Sequence, residues 1–168
     1  MMRTAIYPGS FDPVTLGHLN IIRRASTIFD KVVVCVMVNA TKRYMFTREE
    51  RLELARRVTS RFPNVEVDTS EILLAEYVKR FEGPVLLKGL RAVSDFESEF
   101  QMAHINKKIN GDLDTVFLTA SEKYTFLSSS AVKELARYGA DLTEFVPREI
   151  LDDVIEKSKL GREKCDEG

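Results

Sequence analysis

Five short apolar runs, each followed by residues at helical spacing, constrain this chain more than any other feature. Thr4 to Tyr7 ends at Pro8-Gly9, as a buried strand would. Leu19, Ile22, Ala25, Ile28 and Phe29 then recur at helical intervals. Val32 to Val38 is continuous and largely β-branched, which suits a strand covered on both faces. Thr47 followed by Glu50 is a capping-box pattern opening a helix with Leu52, Ala55 and Val58 on its apolar side. Val65 to Val67 predicts a third strand, Ile72 to Phe81 a helix stopped by Gly83-Pro84, and Val85 to Leu87 a fourth strand. A long helix from about Ala92 to Ile109 precedes a strand over Thr115 to Leu118. Ser128-Ser129-Ser130 leads into a helix with Val132, Leu135 and Ala136, and Pro147 opens a last one through Ile150, Leu151, Val154 and Ile155. The expected fold is therefore α/β: a single domain over residues 1–157, Rossmann-like, with a doubly wound sheet of five parallel strands and helices on both faces. Residues 158–168 read as a polar tail that frays.

The formal net charge of -1 supplies no general field for a nucleic-acid backbone or an anionic membrane, so neither is an expected partner. Any anion site must be built locally. No apolar run approaches the ~20 residues that span a bilayer, and the start of the chain lacks a secretory signal, so the expected location is cytoplasmic. Cys35, inside the second apolar run, reads as a buried inert thiol, and Cys165 stands alone in the charged tail. Neither has the spacing of a disulfide framework or a zinc site.

Ligands of open parallel sheets bind beyond the carboxyl ends of the strands, so the segments following each strand hold the candidates. The first is followed by Ser10, Phe11 and, further on, Gly17-His18; the second by Asn39, Lys42 and Arg43; the fourth by Lys88-Gly89-Leu90-Arg91; the fifth by Thr119 through Ser130. Glycines, hydroxyls and cations thus collect at one rim, which is the chemistry of a phosphate site. His18 falls at a helix start, where amides and the helix dipole favour an anion and an imidazole can donate to a phosphate oxygen. Ser128 to Ser130 offer three hydroxyls and free amides at another. Four loops carrying His18, Lys42, Arg91 and Ser129 are expected to face a single pocket.

Thr15-Leu16-Gly17-His18 resembles the T/HxGH signature of the nucleotidyltransferase superfamily, and Leu127-Ser128-Ser129-Ser130 its second, ISSS-type signature. Ala5 to Pro13, Met45 to Arg51 and Gly89 to Glu97 are similar, in order and separation, to the phosphopantetheine adenylyltransferase family, over roughly residues 3 to 155. The resemblance implies transfer of AMP from ATP to 4'-phosphopantetheine with Mg²⁺, giving dephospho-coenzyme A and pyrophosphate. It implies that His18 stabilises the transition state and that Ser10 meets both substrates. Lys42, Leu74 and Lys88 would take phosphopantetheine, with Lys88 standing where the best-known relatives have Arg. Phe11, Gly89, Leu90, Arg91, Glu99, Tyr124, Thr125, Phe126, Leu127, Ser128, Ser129 and Ser130 would join His18 and Ser10 in holding ATP. It names no Mg²⁺ ligand. Other superfamily members, and a non-catalytic nucleotide sensor, remain alternatives; Lys88-Gly89-Leu90-Arg91 and the paired acceptor cations favour the pantetheine enzyme.

The long helix carries two apolar stripes, Val93, Phe96, Phe100 and Ala103, and Met102, Ile105 and Ile109. One is expected to face the sheet and the other to be buried in a subunit interface. The resemblance implies a homohexamer.

Overall fold

A computed structural model describes residues 3–39, 41–91 and 93–166, with the side chains of 93, 94 and 161–166 outside the described set. Ala92, Val93 and Cys165, named above, fall wholly or in their side chains outside it. Five strands form one parallel sheet: β1 (Thr4–Gly9), β2 (Lys31–Met37), β3 (Val65–Ser70), β4 (Pro84–Leu90) and β5 (Asp114–Thr119), in the order β3-β2-β1-β4-β5. Between and after them run α1 (Leu16–Ile28), α2 (Arg48–Thr59), the short α3 (Leu74–Tyr77), α4 (Val93–Ile109), α5 (Ser129–Arg137) and α6 (Leu151–Asp166).

Alternation along the strands divides the core in two. Ala5, Tyr7, Val32, Val34, Val36 and Leu87 pack beneath α1, α2, α5 and α6. Ile6, Val33, Cys35 and Leu86 pack against Ala75, Tyr77, Val78 and Leu113 on the other face. Cys35 is fully buried there, and burial pushes its thiol up to about 11, as an inert position requires. Among the described residues no helix is long and apolar enough to cross a membrane.

The capping box expected at Thr47 forms, and the structure adds a second that sequence reasoning did not single out. Thr47 and Glu50 exchange hydrogen bonds at the start of α2, and Thr15 and His18 do so at the start of α1. Two expectations change. The helix foreseen over 72–81 is only α3 and a 3₁₀ turn over Val78–Arg80, and β3 runs on past Val67 to Ser70. The segment expected to fray continues α6 to Asp166. Its start is anchored: Ser158 is buried, and Lys157 Nζ lies 2.6 Å from Glu50 Oε1 on α2.

What positions the site is a split in the sheet. β1 pairs with β4 only from Thr4↔Pro84 to Ile6↔Leu86. Beyond that, β1 stays with β2 to Gly9↔Val36 while β4 stays with β5 to Leu90↔Thr119. The central strands part at their carboxyl ends, where the strand order reverses direction, and Pro8, which has no amide hydrogen to give, stands at the parting.

Candidate active site

The opening is a cleft of about 540 Å³. His18, Lys42, Arg91 and Ser129, from four separate loops, line it together, and so do Ser10, Phe11, Lys88, Gly89, Glu99, Tyr124, Leu127, Ser128 and Ser130. Leu90, Thr125, Phe126 and Leu74 are not among its lining residues. Leu90 follows Gly89 on β4 and so points to the other face of the sheet, while its carbonyl takes the Ala120 amide at 2.7 Å. Thr125 turns its hydroxyl onto Glu122 O at 2.9 Å, and Phe126 is 92% exposed. Leu74 packs against the core on the far face.

Two glycines let the walls close in. A Cβ on Gly9 would fall 2.9 Å from the Phe11 ring, and one on Gly89 would fall 3.1 Å from Ile21 on α1. With Gly9 bare, Phe11 folds back at φ 47 into the core and sets its ring edge-on to His18, centroids 5.1 Å apart. The Asp12–Pro13 peptide bond that follows is cis.

The His18 ring is fixed by its own helix start. The Thr15 amide donates to Nδ1 at 3.0 Å, so Nδ1 carries no proton and Nε2 carries one. Burial, and after it the nearby Arg91 cation, holds the imidazole's pKa down to about 4. At neutral pH the ring is therefore an uncharged Nε2–H donor. The amides at this helix start are mostly spent, contrary to the expectation of free ones: Leu16 N goes to Phe145 O at 2.9 Å and His18 N to Thr15 Oγ1 at 3.3 Å.

At α5 the three serines divide the work. Ser128 Oγ caps the helix by accepting from Ala131 N at 3.1 Å, and Ser129 Oγ donates to Pro13 O at 2.8 Å. That leaves the Ser130 hydroxyl, which is exposed, and the first backbone amides of α5 to meet a ligand.

Three cleft cations already have anionic partners. Arg91 Nε lies 3.0 Å from Asp95 Oδ2, with Nη1 on Leu127 O at 3.0 Å. Lys88 Nζ lies 3.0 Å from Glu99 Oε2, an ion pair too bent to be a hydrogen bond, so Oε2 is buried without an aligned donor. Lys133 Nζ lies 3.0 Å from Asp12 Oδ2. Lys42 and Arg43 are exposed beside them.

Sequence reasoning did not single out Asp12, Arg51 or Lys133. Asp12, 3% exposed in its side chain, also accepts from Phe46 N at 2.9 Å and Met45 N at 2.9 Å, pinning the loop before α2 onto the loop after β1. Lys133 lies one turn beyond Ser129 and Ser130, so helical spacing alone would have placed it on their side of α5. No sequence signal distinguishes Asp12 or Arg51 from surface charges. Among the described residues no three carboxylates, imidazoles or thiolates converge to hold a metal.

The model of the Cytidylyltransferase-like family matches residues 6–135. A phosphopantetheine adenylyltransferase of Caldanaerobacter subterraneus subsp. tengcongensis is 54% identical over 158 residues, covering 94% of this chain and 99% of that protein. One from Clostridium botulinum (strain Alaska E43 / Type E3) is 49% identical, covering 95% of this chain and 100% of its own length. A solved structure of a putative nicotinate-nucleotide adenylyltransferase from Vibrio parahaemolyticus superposes with a TM-score of 0.69 over 94% of this chain and 96% of that one, at 16% identity, a likeness of fold. The chain belongs to the cytidylyltransferase-like nucleotidyltransferases and, among them, to the phosphopantetheine adenylyltransferase family.

Proposed function

We propose that the protein transfers the AMP portion of ATP to 4'-phosphopantetheine, forming dephospho-coenzyme A and pyrophosphate. The observation that carries this reading is a single cleft in which a neutral imidazole donor sits among cations and helix-start amides drawn from four loops. Such a site neutralises two polyanions and holds them in line without a covalent nucleophile.

A phosphate oxygen of the acceptor attacks the α-phosphorus of ATP, and the bond to the β-phosphate breaks, its electron pair leaving with pyrophosphate. His18 donates from Nε2 to the oxygen on which charge builds. Ser10 meets both substrates, and Lys42 and Lys88 hold the acceptor phosphate. When that phosphate takes Lys88, Glu99 is released to accept from the ribose, which suits an oxygen already lacking an aligned donor. Gly89, Arg91, Tyr124 and the residues from Leu127 to Ser130 take the nucleotide, with Phe126 at the exposed tip of that loop. The acceptor is a phosphomonoester with a second pKa of about 6, already ionised at neutral pH, so no general base is required.

Mg²⁺ would arrive on the phosphates of ATP. The described residues offer no cage of their own, and Asp12 is spent on Lys133 and two amides. The pantetheine arm would run toward Leu74, beside the exposed Ile72 and Leu73. Assembly as a homohexamer, through the apolar side of α4, completes the proposal.

Release of pyrophosphate from ATP and Mg²⁺, measured with 4'-phosphopantetheine as acceptor, tests it. Turnover should require both substrates. Faster turnover with CTP, or with nicotinate or nicotinamide mononucleotide as acceptor, would overturn the reading.

A further inference from the structure

Arg51, on the first turns of α2, is 1% exposed, and its assigned donors go to carbonyls rather than carboxylates. Nη1 donates to Ser10 O at 2.7 Å and to Met37 O at 3.0 Å. The guanidinium carbon lies 4.0 Å from the centroid of the Tyr44 ring, and Nε is buried with no acceptor. Glu49, on the same helical turn, is exposed and bonded to Arg48 instead. Among the described residues its hydrogen bonds go to main-chain carbonyls alone, with the exposed Glu49 carboxylate as a more distant opposite charge, so burying this cation is costly and needs a return.

The carbonyls it binds belong to two loops of the cleft. Ser10 follows β1, and Met37 ends β2 where the segment bearing Lys42 and Arg43 departs. Tyr44, stacked on Arg51, accepts the Asn39 amide on its hydroxyl at 2.7 Å. Asn39 in turn accepts from Thr41 N at 2.9 Å through its side chain and from Lys42 N at 3.1 Å through its carbonyl. A continuous path of contacts therefore runs from the buried guanidinium to the backbone of Lys42.

We propose that Arg51 is a positioning residue for the acceptor's phosphate: from beneath the cleft it sets Ser10 against the Lys42–Arg43 segment, and its buried charge, bonded to carbonyls rather than to a carboxylate, favours an anion between them. This rests on the function given above. Arg91, Lys88 and Lys133 in the cleft each lie within 3.0 Å of a carboxylate, on Asp95, Glu99 and Asp12, whereas Arg51, behind the cleft wall, hydrogen-bonds only carbonyls.

The test is steady-state kinetics and thermal unfolding of the full chain as Arg51→Gln and Arg51→Lys. Arg51→Gln should raise KM for 4'-phosphopantetheine by about tenfold or more, with kcat and the KM for ATP changing far less. Its melting temperature without substrate should hold or rise, because a buried charge is gone and the amide can still donate to the carbonyls, while the stabilisation it gains from inorganic phosphate shrinks. Arg51→Lys should recover part of the KM. An unchanged acceptor KM and phosphate response would overturn the proposal. So would an equal rise in both KM values with a lowered melting temperature, or failure of both variants to fold, since each makes Arg51 a plain structural strut. Should the wild type release no pyrophosphate yet be stabilised by phosphate more than Arg51→Gln, the assigned reaction falls and the positioning role stands; equal stabilisation removes both.

Discussion

The His18 ring is oriented by a backbone amide and kept uncharged by its surroundings, and both facts bear on substitution. His18→Ala removes the Nε2 donor and should lower kcat by about 10²–10³-fold, the usual effect of losing one transition-state donor. From the fold it takes the reciprocal cap to Thr15, about 1 kcal/mol, together with the ring contact to Phe11. Pyrophosphate release and thermal unfolding on the same sample check both halves; near-normal kcat would remove His18 from the chemistry. The low pKa also has a sign. The unfolded chain takes up a proton on this histidine at about 6.5, the folded one at about 4. Below the first value the unfolded state binds more protons, so stability is full above pH 6.5 and falls toward pH 4. His18→Gln should flatten that part of the stability curve, read by urea unfolding across the range. Asp12 makes a different case, since its carboxylate joins two amides and Lys133. Asp12→Ala leaves them all unpaired and should cost about 3–5 kcal/mol in urea unfolding.

Among the elements, α4 departs furthest from its sequence pattern. Among its described side chains the inward side carries Asp95, Glu99, Ala103 and Asn106, and Phe96 touches Phe117 of β5, so polar residues interrupt the apolar stripe. The reason lies in β4, whose end presents Lys88 and Arg91, so the helix over them supplies acids. Asn110 Nδ2 bonds Ala75 O at 3.3 Å at the far end. Phe96, Phe100, Met102, Ile105 and Ile109 are left between 41% and 47% exposed, an apolar surface that a second copy of the chain would cover. Sedimentation at micromolar concentration should find an assembly, and Phe100→Asp should shift it toward monomer while leaving circular dichroism unchanged. A wild-type monomer would refute the interface. α1 and α2, by contrast, start where their capping residues say, because a cap is satisfied within four residues of chain.

Over the whole molecule the site depends on parts that meet only after folding. α6 closes against α2 through Lys157–Glu50 at 2.6 Å and Arg57–Asp153 at 2.7 Å, and Val154 enters the core beneath. The loop after β5 is tied to α1 by Ser121 Oγ on Asn20 Oδ1 at 2.9 Å, and Ser129 reaches back to Pro13. The strand order came only from the structure, but five parallel strands, two core faces and the rim of loops could be read from the chain because each follows from local periodicity and the rules of parallel connection. So could His18, Lys42, Arg91 and Ser129 as one group, since each follows the carboxyl end of a strand or opens the helix beyond it. The spent amides at His18, the committed Ser129 hydroxyl, the inward acids of α4 and the buried charge of Arg51 could not. The sequence by itself determined that His18, Lys42, Arg91 and Ser129 arrive at one cleft, through patterns that need only near neighbours. Tertiary structure alone decided which of their polar atoms stay open to a ligand, because that depends on partners tens of residues away that compete for the same hydrogen bonds.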